Sequence, residues 1–277
     1  MWIKKKEIEQ LSEFVKGYSS GEELDIRVNK EGSFNILKND IYALVNMKNE
    51  QIKAVETERD SLSDYMADIS HQLKTPITSM MIMADLLEEA EPEKQTEFIH
   101  NIQVSLNKME WLVGALLKMA KLDSGTAILQ KEKIFIKELI LHSAEPLAIS
   151  MDLHGVKLCL NGNDTDSFFG DFGWSAEAIT NILKNGIEHM ENGGNLYVSW
   201  SEKSVYSEIE IEDEGSGISD EELPHIFERF YRGKTARHSG FGIGMAMAQS
   251  IFAKQNGTIK AQNREEGGAK FVIHVRK

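Results

Sequence analysis

Two apolar stripes at helical spacing restrict this chain more than any other feature. Met66, Ile69, Leu73, Ile77, Met80, Ala84 and Leu87 step by 3, 4, 4, 3, 4 and 3, which lines one face of an α-helix. No glycine or proline interrupts the pattern between about Asp40 and Pro76. Ala90-Glu91-Pro92-Glu93 is the break, with Pro92 suited to a helix start. A second helix, roughly 93–122, carries Phe98, Ile102, Ser105, Met109, Leu112, Leu116 and Met119 at steps of 4, 3, 4, 3, 4 and 3. This is a heptad seam with one polar intruder, Ser105. A short connection between striped helices predicts an antiparallel hairpin. A lone hairpin gives each stripe one partner, so two hairpins are expected to pair as a four-helix bundle in a homodimer. The alternative is a monomeric hairpin packed on the following domain.

The rest of the chain has a different texture. Asp123-Ser124-Gly125 reads as a linker. Beyond it, strand-like runs at Val156–Leu160, Leu196–Trp200, Val205–Ile211, Thr258–Ala261 and Lys270–Val275 interleave with helical stretches at about 136–152, 174–190 and 242–255. That order predicts an α/β sandwich, a mixed sheet under helices. Three regions follow: 1–59, an N-terminal input or linker segment with a signalling helix; 60–124, the helical hairpin; and 125–277, the α/β domain. The fold class expected is thus multidomain, α followed by α/β.

Composition excludes some functions. The 277 residues carry a formal charge of −13, whereas a nucleic-acid groove needs a basic footprint, so no nucleic-acid partner is expected. Cys159 is the only cysteine, which rules out an intrachain disulfide framework. No run approaches the eighteen or more apolar residues of a membrane span. Trp2 followed by Lys4, Lys5 and Lys6 has the pattern found just inside a membrane. The expectation is a cytoplasmic region whose only membrane contact is through segments upstream of this chain. An ordinary soluble start is the alternative.

Chemistry concentrates at four places. In Asp68-Ile69-Ser70-His71-Gln72-Leu73-Lys74-Thr75-Pro76, His71 and Thr75 share a helix face. His71 sits about 200° around the helix from both Ile69 and Leu73, off the apolar seam. Pro76 cannot donate to the carbonyl of Gln72, so the helix is expected to bend or loosen beside an exposed imidazole. Asn181 and Asn185 are four apart on the helical stretch at about 174–190. Their amides either ligate Mg²⁺ or are merely solvated or capping.

Asp213-Glu214-Gly215-Ser216-Gly217 follows a strand, where Asp213 can accept from an exocyclic amine and the glycines admit a flat ring. Gly240-Phe241-Gly242-Ile243-Gly244 opens the last helix, where amides can meet a phosphate. Its spacing is neither a Walker A loop nor a dinucleotide fingerprint. Between these two glycine clusters, Phe227-Glu228-Arg229-Phe230-Tyr231-Arg232-Gly233, with Lys234, Arg237 and His238, reads as a lid.

Taken in order, these segments resemble the phosphoacceptor box, asparagine box, first glycine box, phenylalanine box and second glycine box of bacterial sensor histidine kinases. The ATP-binding domain of that family belongs to a superfamily shared with DNA gyrase, mismatch-repair ATPases and a heat-shock chaperone. Gly268-Ala269-Lys270-Phe271 resembles a further element before its last strand. The resemblance spans about residues 60–277. It implies ATP and Mg²⁺ as cofactors, His71 as phosphoacceptor, and phosphoryl transfer to an aspartate of a separate response regulator. Asn185, supported by Asn181, would hold Mg²⁺. Asp213 would bind adenine in a pocket shaped by Gly215 and Gly217. Gly240, Gly242 and Gly244 would line the phosphates, with Arg232 near them, and Thr75 would orient a water that hydrolyses the regulator's phosphoryl group.

Two positions depart from the family. Gln72 stands where a carboxylate commonly takes the imidazole proton, which points to slower phosphorylation or an altered phosphatase balance. Glu188 stands where many relatives are basic. A chaperone-like ATPase using Glu177 or Glu188 as base, and a non-catalytic phosphatase or scaffold, are the rival readings.

Overall fold

The computed structural model describes residues 8–9, 12, 33–88, 90–233 and 240–277. The expectations for Trp2, Lys4, Lys5 and Lys6 and for Lys234, Arg237 and His238 lie outside the described residues. The chain forms two units, Met1–Ala67 and Asp68–Lys277. Among the described residues, no helix is long and apolar enough to cross a membrane.

Helix α1 (Ser33–Leu87) begins in the first unit and ends in the second. In the first unit, Leu44, Met47, Ile52 and Val55 are exposed along it. The helix runs on through Pro76 and is not interrupted there. Pro76 brings no N–H to the carbonyl of Gln72, and the Thr75 hydroxyl donates to the carbonyl of His71 at 3.3 Å.

Helix α2 (Pro92–Asp123) starts on its proline. The Gln95 side chain donates to the carbonyls of Leu87 and Ala90 at 3.3 and 2.9 Å, tying the turn that joins the two helices. The heptad positions of α2 point inward as predicted. Leu112 and Met119 are buried, with Ala115 and Leu122 beside them, and Leu73 of α1 packs against the same core. Ile77, Met81 and Leu86 of α1 and Val113 and Leu117 of α2 remain exposed.

The α/β part starts with β1 (Glu132–Phe135), which pairs antiparallel with β3 (Ser167–Gly170) in a small sheet absent from the sequence expectation. The stretch expected as one helix over 136–152 is two, α3 (Ile136–Ala144) and α4 (Ala148–His154), separated by a single 3₁₀ turn at Glu145–Leu147. Pro146 lies in that turn and has no N–H to continue the ladder.

The main sheet has the order β2 (Val156–Asn161), β4 (Gly194–Glu202), β5 (Tyr206–Glu212), β7 (Ala269–Arg276), β6 (Gly257–Asn263). Only the β2–β4 pair is parallel. Register aligns Trp200 with Ile209, Ile209 with Ile273, and Ile273 with Ile259. One face of the sheet is therefore a continuous apolar layer.

Helices α3, α5 (Phe172–Glu188) and α6 (Gly244–Lys254) contribute the facing layer of the core. Asp171 caps α5 by accepting from the Trp174 amide at 2.9 Å. The opposite sheet face carries charges, with Lys270 held between Glu210 at 2.8 Å and Glu212 at 3.0 Å. A helical hairpin followed by an α/β sandwich is the architecture that the residue pattern predicts.

Candidate functional site

The period of α5 sorts its residues by role. Ala178, Ile179, Ile182, Leu183, Gly186 and Ile187 are buried against the sheet and α6. Asn181 and Asn185 are left half-buried on the other side. They border a cavity of about 180 Å³, together with Gly217, Arg232, Gly240, Gly242 and Gly244. Most residues singled out for the nucleotide from the sequence thus meet at one cavity. Asp213 and Gly215 do not border it but adjoin residues at its edge: a Cβ on Gly186, the neighbour of Asn185, would sit 3.6 Å from the Asp213 Cβ, and one on Gly215 would sit 2.7 Å from the carbonyl oxygen of His189, which borders the cavity.

Asp213 follows the end of β5 and is buried. Its Oδ1 accepts from the amides of Gly215 at 2.9 Å and Ala269 at 3.0 Å. Its carbonyl accepts from the Arg264 guanidinium at 2.9 Å. Burial pushes the carboxyl above the ordinary carboxylate value, opposed by the Ala269 and Gly215 amides and by His189 and Arg264. Gly268 stands against the Asp213 carbonyl at φ +91°, where a Cβ would collide with that oxygen. A glycine is therefore required there on two counts. The family-like element at Gly268–Phe271 is thus the clamp that holds Asp213.

The segment expected to act as a lid is held through its phenylalanines. The Phe230 amide donates to the Gly242 carbonyl at 2.9 Å, and Phe227 and Phe230 pack on the core. Phe230 itself has φ +62°, a strained conformation for a bulky residue. Gly242, at φ +70°, would place a Cβ 2.5 Å from the Tyr231 carbonyl oxygen. It therefore allows the lid and the glycine loop to touch. Gly244 opens α6 with its amide end toward the cavity, 3.1 Å from Asn181 Oδ1 when measured from an added Cβ.

The cavity also contains residues that sequence reasoning missed: Trp111 from α2, Lys184, His189, Glu222 and Phe241. Trp111 stacks on Phe241 with ring centroids 5.9 Å apart and planes at 15°. The Arg229 guanidinium pairs with Asp123 of α2 at 2.7 Å, and Lys118 of α2 pairs with Glu177 of α5 at 2.8 Å. None of these partners could be matched from sequence, because each joins residues more than fifty positions apart.

Among the described residues, no three His, Cys, Asp or Glu side chains gather as a metal-holding group. Asn181 and Asn185 offer neutral amide oxygens, a donor set suited to a hydrated Mg²⁺ that arrives with phosphate oxygens rather than to a carboxylate cage. His71 and Thr75 are exposed, Gln72 is half-buried, and none of the three borders the cavity.

Comparison with known proteins gives matches over both parts. Residues 61–125 match the family described as the His Kinase A (phospho-acceptor) domain. Residues 171–277 match the histidine kinase-, DNA gyrase B-, and HSP90-like ATPase family. The signal transduction histidine-protein kinase BaeS of Escherichia coli (strain K12) is 26% identical over 230 residues, covering 82% of this chain and 49% of BaeS. The chain spans about half the length of the curated relatives it matches. Histidine kinase AdeS of Acinetobacter baumannii shares the fold with a TM-score of 0.60 at 21% identity, over 74% of this chain and 97% of that one. Histidine kinase ThkA, solved in complex with the response regulator protein TrrA, does so with a TM-score of 0.66 at 19% identity, over 83% of this chain and 66% of that one.

Proposed function

The chain belongs to the two-component sensor histidine kinases, and from that premise we propose that it is an ATP-dependent autokinase that phosphorylates His71. The observation that carries the reading is the convergence of Asn181, Asn185, Gly242 and Gly244 on one cavity, beside a buried, doubly held Asp213. Asp213 Oδ1 is occupied by two amides, so its Oδ2 accepts from the adenine amine. Gly215 and Gly217 let the ring lie close. The amides around Gly240, Gly242 and Gly244, with Arg232, meet the phosphates. Asn185, steadied by Asn181, holds Mg²⁺, which offsets charge on the phosphate oxygens when bound.

A ring nitrogen of His71 attacks the γ-phosphorus. An N–P bond forms, the bond from that phosphorus to the bridging oxygen breaks, and ADP leaves. Gln72 has no basic atom for the imidazole proton, so the proton goes to water. The phosphoryl group then passes to an aspartate in the receiver domain of a response regulator, as the ThkA–TrrA pairing suggests by analogy. Thr75 orients a water that attacks the regulator's phosphoryl-aspartate, a separate hydrolytic reaction that releases inorganic phosphate and frees the aspartate. Two hairpins pair through the exposed apolar residues of α1 and α2. The parent protein is a membrane sensor of which residues 1–277 are cytoplasmic, with 60–124 as the phosphotransfer hairpin and 125–277 as the ATP domain.

Label transfer from γ-labelled Mg-ATP tests this directly. An acid-labile, base-stable label on the chain is expected, absent in both His71→Ala and Asn185→Ala. No label despite demonstrated ATP binding would leave a phosphatase or scaffold.

A further inference from the structure

Lys184 takes no part in the reading above, although it lies beside Asn185 on α5. At 100° per residue, position 184 is about 60° from Asn181, about 40° from Glu188 and about 100° from Asn185. It therefore shares the cavity side of the helix, and its side chain borders the cavity. Its ammonium nitrogen lies 5.5 Å from the centroid of the Trp111 ring. Glu188 Oε1 is 3.8 Å away, and both partners of that ion pair are partly exposed. Each contact is weak, an exposed cation–π pair and a long solvated ion pair. A triphosphate offers the same ammonium several anionic oxygens at once.

Trp111 is placed to register the loss of that contact. It stacks on Phe241 of the glycine loop, and it belongs to α2. Trp111 is 19 residues past the start of α2 and His71 is 16 residues before the end of α1. At 1.5 Å per residue, both lie about 24–29 Å from the turn. Trp111 is thus level with the phosphoacceptor along the hairpin.

We propose that Lys184 is a phosphate-binding residue of the nucleotide site, and that it exchanges the Trp111 ring for phosphate when nucleotide enters. The inference rests on the nucleotide-site reading and adds to it a positioning cation supplied by the asparagine helix. The exchange loosens α2 from α5 at the level of His71, where the phosphoryl group must be delivered.

Calorimetric binding of Mg-ATP and of adenosine to the full chain tests it. Lys184→Met is expected to weaken Mg-ATP binding about tenfold, the worth of one charge-assisted hydrogen bond, and to leave adenosine unchanged. Trp111→Phe keeps an aromatic stack but weakens the cation's resting place, so it is expected to tighten Mg-ATP binding and leave adenosine unchanged. Equal losses for both ligands in Lys184→Met would make Lys184 merely structural and overturn the inference. Unchanged Mg-ATP affinity in that variant would overturn it as well, while leaving the nucleotide site intact. A wild-type chain that binds neither ligand would remove the nucleotide site itself, and the inference with it.

Discussion

Asp213 brings a titratable carboxyl into the core, and its proton is coupled to folding. Burial raises its folded-state value above the ordinary one, so folding favours the protonated form. The stability this contributes is complete below the ordinary carboxylate range and is lost as pH rises through the raised value. Asp213→Asn removes the titration. Urea unfolding of both proteins from about pH 3 to about pH 8 spans the range. The stability of the wild type relative to the variant is expected to fall as pH rises, and a flat difference would mean that Asp213 titrates as it does in the unfolded chain. Asp213 was legible in the sequence because a carboxylate at a strand end with two following glycines is a local pattern. The need for glycine at 268 was not legible, because it arises only when β7 pairs with β5 and brings residue 268 against the Asp213 carbonyl.

The element that matters most for catalysis is α2, because it touches the nucleotide side of the molecule at three places. Lys118 meets Glu177, Asp123 meets Arg229, and Trp111 meets Phe241. His71 borders no part of the cavity, whereas an in-line attack needs reacting atoms about 3–3.5 Å apart. On the proposed reading, phosphoryl transfer within one chain would need these contacts with α2 to break or shift first. Lys118→Glu sets two carboxylates against each other. It is expected to speed the initial labelling of His71 severalfold while changing stability by under about 1 kcal/mol, since the pair is solvated. A slower time course would mean that the docked arrangement is itself the reactive one. The long helices were readable because their stripes repeat over many turns. The small sheet was not: β1 has four residues and one buried side chain, Ile134, too few to display a period.

At the scale of the whole molecule, the hairpin leaves apolar surface uncovered. Ile77 lies on the predicted stripe and is 40% exposed, which the proposed second hairpin would cover. Ile77→Asp would bury an unpaired charge in that bundle. It is expected to raise the dimer dissociation constant by about 100-fold or more. Sedimentation velocity reads this as a shift from two-chain to one-chain mass, and a wild-type chain that sediments as a monomer would sink the bundle.

The order of strands in the sheet has a consequence for how the protein is made. The last strand in sequence, β7, lies inside the sheet between β5 and β6, and its first residue holds the carboxyl of Asp213. The hairpin needs only neighbours along the chain, the kind of contact that forms early. The proposed adenine pocket needs residues translated more than fifty positions after Asp213. On a ribosome, the two helices of the hairpin are therefore complete, and free to make the proposed pairing with another nascent chain, well before either chain has the proposed nucleotide site.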